Sequence, residues 1–87
     1  MTFKIETQVR GKSTVFILSG RIEGQAIEEL RRLFELPTDY RAVVLDLTDV
    51  RLVDREVMRF LARSEADGVR LENCPAYIRE WMDREND

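Results

Sequence analysis

Three carboxylates lie close together in the stretch VVLDLTDVRLVDREVMRFL, residues 43–61: Asp46, Asp49 and Asp54. Such a group offers the oxygen ligands that a hard cation such as magnesium takes, and phosphotransfer needs a similar acidic pocket. Each position also has an ordinary structural use. Asp46 is a strand-end carboxylate, Asp49 a turn residue, and Asp54 a helix N-cap that accepts the free N–H groups of a first turn. The ordinary uses take precedence, and no metal site is assigned. Phosphotransfer also needs a well-placed lysine, yet Lys4 and Lys12 both fall in the N-terminal region. Histidine is absent, which excludes Ser-His-Asp and Cys-His arrangements within the chain and removes the commonest zinc ligand. No Gly-rich phosphate loop or dinucleotide fingerprint is present. A protein that is not an enzyme and takes no cofactor is expected. Magnesium-dependent phosphotransfer or another activity of the Asp46/Asp49/Asp54 cluster stands as the alternative from another class.

Binding chemistry has more candidates. Arg55, Arg59 and Arg63 recur every four residues and share one helical face. Like charges at that spacing cost about 0.2–0.5 kcal/mol per pair, with relief expected from neighbours such as Glu56. The stripe suits an acidic patch on a partner protein, or is simply a solvated face. Glu56, in a first helical turn, complements the helix dipole. Cys74 precedes a helix start, where a thiolate is stabilised; a small packing residue is the plainer reading. Tyr77 and Trp81, with Ile78 and Met82, form an apolar stripe that packs on the sheet or, where exposed, serves as a secondary interface.

The elements that must carry these residues follow from periodicity. Phe3, Ile5, Thr7 and Val9 alternate with polar residues, and Val15–Leu18 form a second strand, so an antiparallel hairpin turns at Gly11. Ser19-Gly20-Arg21-Ile22 reads as a bend. Ile27, Leu30 and Phe34 set the buried face of a helix over 25–35, ended by Leu36-Pro37. Ala42–Leu47 is a strand buried on both faces. An apolar pulse (Val50, Leu52, Val53) leads from it to a helix over 55–66, stopped by Asp67-Gly68. Val69–Leu71 is a short strand, and Pro75 opens a third helix. Asp83–Asp87 reads as a frayed tail. At 87 residues with interspersed charges and a net charge of −3, one domain over 1–87 is expected, with no nucleic-acid partner and no direct membrane insertion. The lone cysteine and the lack of a long apolar run point to the cytoplasm.

Residues 43–61 also resemble the core signature of the STAS family, whose best-known members are bacterial anti-sigma factor antagonists. A strand VVLDLT precedes an apolar pulse and an acidic helix start, and the N-terminal hairpin, the Ser19–Ile22 segment and the first helix come in the family order. The resemblance implies a small STAS-like single domain of α/β class: a mixed four-stranded sheet with an N-terminal hairpin and three helices, ordered β-β-α-β-α-β-α. It implies a non-catalytic interaction module in bacterial transcription signalling, with an anti-sigma factor or switch-kinase-like partner engaging Asp54, Arg55, Glu56, Arg59 and Arg63. An accessory subunit of a transport or other assembly is the alternative, and homo-oligomers are compatible. The departures bear on mechanism. Where regulated members read Asp-Ser-Ser-Gly, this chain reads Asp54-Arg55-Glu56-Val57. Glu56 takes the phosphoacceptor position, and neither it nor Arg55 is a substrate for a serine kinase.

Overall fold

The computed structural model describes residues 3–35 and 42–85. Its elements are β1 (Phe3–Arg10), β2 (Ser13–Ile22), α1 (Gly24–Glu35), β3 (Ala42–Val53), α2 (Arg55–Ala66), β4 (Arg70–Glu72) and α3 (Ala76–Glu85). The four strands form one sheet in the order β1-β2-β3-β4. The β1/β2 hairpin is antiparallel, with Arg10 opposite Ser13 across the turn. The β2/β3 and β3/β4 pairs are parallel, because a helix returns the chain to the same sheet end each time. This is the mixed α/β sheet and element order expected. The Leu36-Pro37 helix stop lies outside the described residues.

One apolar cluster unites all three helices with the sheet. Phe16, Leu18, Leu45 and Leu47 meet Ala26, Ile27 and Leu30 of α1, Val57, Met58 and Leu61 of α2, and Ile78 and Met82 of α3. Phe34 stacks on Phe60 with centroids 5.8 Å apart, joining α1 to α2. The opposite sheet face carries no helical member of this cluster, yet Val15 and Val44 are buried there. Arg10 of β1 reaches Glu72 of β4 at 3.1 Å, crossing the two central strands. The hydrocarbon stem of such an arginine covers apolar surface while its charge stays wet.

The strands differ from expectation in an instructive way. β3 is a single strand of 12 residues, where a strand ending at Leu47, a turn at Asp49 and a separate apolar pulse were expected. Two register shifts explain the misreading. Between Ile17↔Asp46 and Ser19↔Asp49, and again between Gly20↔Val50 and Arg21↔Leu52, β3 advances one residue more than β2. Each extra residue is a bulge that flips which side chains face the core. The buried positions therefore run Leu45, Leu47, Val50, Val53, and the alternation of a regular strand disappears from the sequence. Leu52 falls out of phase and is 44% exposed. The Ser19–Ile22 bend is likewise the continuation of β2. Gly20 sits at the second shift with φ +87°, a conformation that costs glycine little.

At the C-terminus, α3 continues through Asp83 to Glu85, and Glu85 meets arginines of α2; the last two residues of the expected tail lie outside the described residues. Among the described residues no helix is long and apolar enough to cross a membrane.

The bulge phase makes a sharp prediction. Leu45→Ala removes a side chain with no exposure and is expected to cost about 2–5 kcal/mol. Leu52→Ala, drawn from the same strand, is expected to stay within about 0.5 kcal/mol of wild type. Urea unfolding of both variants measures the contrast.

Candidate functional site

Parallel pairing puts the ends of β2 and β3 at one edge of the sheet, so α1 and α2 begin side by side. Asp54 stands between them. Its backbone is extended (φ −90°, ψ 176°), the conformation of an N-cap. Oδ1 accepts the Val57 N–H at 2.9 Å, and Oδ2 accepts the Gly24 N–H at 2.9 Å. The expected cap of α2 is present, and the same carboxylate also holds the first residue of α1. Sequence reasoning finds the first contact from its local spacing. It misses the second, which spans thirty residues and requires the topology.

Glu56 is exposed and leans over Gly24. A Cβ built on Gly24 would collide with Glu56 Oε2 and stand 3.4 Å from its Cδ. Glycine leaves room for a second carboxylate at the paired helix starts. Both carboxylates lie where two helix dipoles present their positive ends.

Arg55, Arg59 and Arg63 do share the outer face of α2, and all three are exposed. Their repulsion is relieved from an unexpected direction. Arg55 Nε donates to Glu85 Oε1 at 3.0 Å, and Arg59 Nη2 lies 3.5 Å from the same oxygen. The Arg55 hydrogen bond is the largest of several effects that hold the Glu85 carboxyl below its ordinary range. Arg63 has no ion-pair partner among the described residues. A second bridge, Arg79 to Glu65 at 2.8 and 3.0 Å, ties α3 to the far side of α2. Neither bridge has a local sequence signal, since each joins different helices.

The C-terminal stripe divides. Ile78 and Met82 are buried, Trp81 is half-buried against the core, and Tyr77 is 43% exposed. The Tyr77 hydroxyl donates to the Arg51 carbonyl at 2.9 Å, tying α3 to the bulged end of β3. Cys74 is half-buried and packs against the core. Burial pushes its thiol above the ordinary value, away from the reactive thiolate.

The acidic residues do not converge. Among the described residues no group of three or more His, Cys, Asp or Glu is placed to hold a metal ion, so the proposed Asp46/Asp49/Asp54 cluster is not assembled. Asp46 has local work instead. Its Oδ1 accepts from the Thr48 hydroxyl at 2.6 Å, the Thr48 N–H at 3.0 Å and Asn73 Nδ2 at 3.3 Å. It thus braces the first bulge and fastens it to the loop after β4. Asn73 itself has φ +56°, a left-handed conformation that asparagine tolerates. The Thr48 hydroxyl above all, then the Thr48 N–H and Asn73, hold the Asp46 carboxyl below its usual value against the opposing effect of burial.

Two predictions follow from these carboxylates. Asp54→Ala removes the α2 cap and orphans the Gly24 N–H, and is expected to cost about 2 kcal/mol or more in chemical denaturation. Asp46 has a lowered folded pKa, so its stabilisation is present above the ordinary carboxylate pKa and is lost as pH falls through the lower folded value. Asp46→Asn is therefore expected to lose less stability than wild type on acidification from neutral pH, measured by denaturant unfolding across the acid range.

No protein-family model and no curated protein matches the sequence. Solved structures do match. An anti-sigma-factor antagonist STAS domain from Rhodobacter sphaeroides superposes with a TM-score of 0.64 over 83% of this chain and 87% of that one, at 14% identity. This likeness shows a shared fold. A second structure, described as that of Mglu, superposes with a TM-score of 0.59 at 35% identity. It covers 82% of this chain, which spans only 19% of the Mglu chain. The chain therefore has a STAS fold, in agreement with the resemblance carried by residues 43–61.

Proposed function

We propose that this STAS-like domain is a non-catalytic protein-interaction module that docks through the start of α2, in the manner of anti-sigma factor antagonists. Arg55, Glu56, Arg59 and Arg63 form the contact surface, and Asp54 fixes it by holding both helix starts. The observation that carries this reading is the placement of Glu56. It is exposed, with its carboxylate over Gly24 at the meeting of two helix N-termini, and the resemblance to the Asp-Ser-Ser-Gly pattern assigns it to the family's phosphoacceptor position. A serine there is neutral until phosphorylated. A glutamate carries about one negative charge at all times, against roughly −1.5 to −2 for a phosphate. The module accordingly presents a constant charge to an anti-sigma factor or switch-kinase-like partner in the bacterial cytoplasm, with no phosphorylation cycle at this position. Tyr77 and Trp81 are a secondary contact on the adjoining helix.

A second reading draws support from the Mglu likeness, in which the matched part is 19% of a longer chain. In this reading, the same surface of the present domain joins it to a larger assembly as an accessory module.

Affinity capture from extract of the source organism tests the docking surface, with wild type run beside Glu56→Arg and Gly24→Ala. Both substitutions leave Asp54 in place. Gly24→Ala displaces the Glu56 carboxylate without changing its charge. A signalling regulator held by wild type, lost by Glu56→Arg and weakened by Gly24→Ala is the expected result. It should be unaffected by prior treatment with ATP or phosphatase. Equal recovery by all three proteins would refute docking at this junction.

A further inference from the structure

A groove of about 350 Å³ runs along α2 beside its arginine row, lined by Met58, Arg59, Ala62, Arg63, Ala66 and Glu85. Met58, Ala62 and Ala66 are spaced by four, so they form a ridge line parallel to Arg55, Arg59 and Arg63. Met58 is fully buried beneath it, and the half-buried Ala62 and exposed Ala66 give the groove an apolar floor. Arg59 and Arg63 stand one turn apart on its rim. The arginine row already binds a carboxylate, that of Glu85, which meets Arg55 at 3.0 Å and Arg59 at 3.5 Å. Two of the three guanidinium groups thus share one internal carboxylate, and Arg63 has no counterion among the described residues.

We infer that this groove receives an acidic amphipathic helix of a partner protein, whose carboxylates pair with Arg59 and Arg63 and displace Glu85 from Arg59. The inference rests on the docking reading above and adds the partner's chemistry. A helix laid in such a groove places small or aliphatic side chains against Ala62 and Ala66. Carboxylates one turn apart on its flank match the one-turn spacing of Arg59 and Arg63. The alanines keep the floor low, which permits the close approach of two helix axes. Glu85 is an internal competitor. It pairs with Arg55 and Arg59 in the free protein and sets a threshold that a partner with several carboxylates passes.

The probe is a synthetic amphipathic helix of about 15 residues, with Leu and Ala on one face and Glu one turn apart beside them. Its twin carries Lys in place of each Glu. Each is titrated into the full ¹⁵N-labelled chain, with amide shifts read by NMR. The Glu peptide is expected to move the amides of Ala62, Arg63 and Ala66. Its affinity should fall about tenfold or more in the Arg59→Glu/Arg63→Glu variant, whose substitutions are both exposed. It should rise in Glu85→Gln, where the competitor's charge is gone, and fall in Ala66→Leu, which fills the groove without touching any charge. No binding of the Glu peptide, equal binding of the Lys twin, or preference for phosphatidylserine vesicles over the peptide overturns the inference. Shifts confined to Arg55, Glu56 and Gly24 overturn it too, while leaving docking at the junction intact.

Discussion

The Asp54 carboxylate accepts one N–H from each of two helices, and the end of the sheet where α1 and α2 begin depends on that sharing. Val57 N–H and Gly24 N–H are both free donors of a first helical turn, and neither can be met within its own helix. A single side chain meets both only if α1 and α2 start within a few ångströms of each other. That in turn requires β2 and β3 to run parallel and to end at the same edge. The hydrogen bonds, the strand directions and the close approach of Glu56 to Gly24 are thus one constraint seen from three sides.

The bulges of β3 serve the same end. A regular strand continuing from Leu47 would turn Val50 away from the core, and the first bulge without the second would turn Leu52 inward in place of Val53. With them, both side chains enter the core, and the chain arrives at Asp54 with its backbone extended and its side chain turned toward α1. Asp46 secures the first bulge through Thr48 and Asn73. Two of the three clustered aspartates are therefore structural for definable reasons. Their separate tasks explain why they do not meet around a cation.

The surface of α2 that faces away from the core is organised by α3. Glu85 draws Arg55 and Arg59 together, and Arg79 grips Glu65 on the other side. Exposed ion pairs of this kind add little stability. Their effect is on the charge pattern of the surface, since they decide which guanidinium groups are already engaged. A row of like charges that reads as mildly unfavourable in one helix becomes a prepared, partly neutralised surface in the folded domain.

The sequence by itself determined the element order, the mixed sheet, the cap role of Asp54 and the common face of the three arginines. All of these rest on short-range periodicity or on contacts a few residues apart, where backbone geometry leaves few choices. The tertiary structure decided the rest. It continued β3 past Leu47, because a bulge breaks the alternation from which a strand is read. It made the last turn of α3 an anchor through Glu85, and it split the Tyr77–Met82 stripe into buried and exposed halves. It separated the aspartates and brought Asp54 and Glu56 to Gly24. Each of these outcomes depends on residues far apart in the chain meeting at the sheet edge or across a helix pair. No local pattern encodes such a distance; only the packing of helices on a shared core sets it.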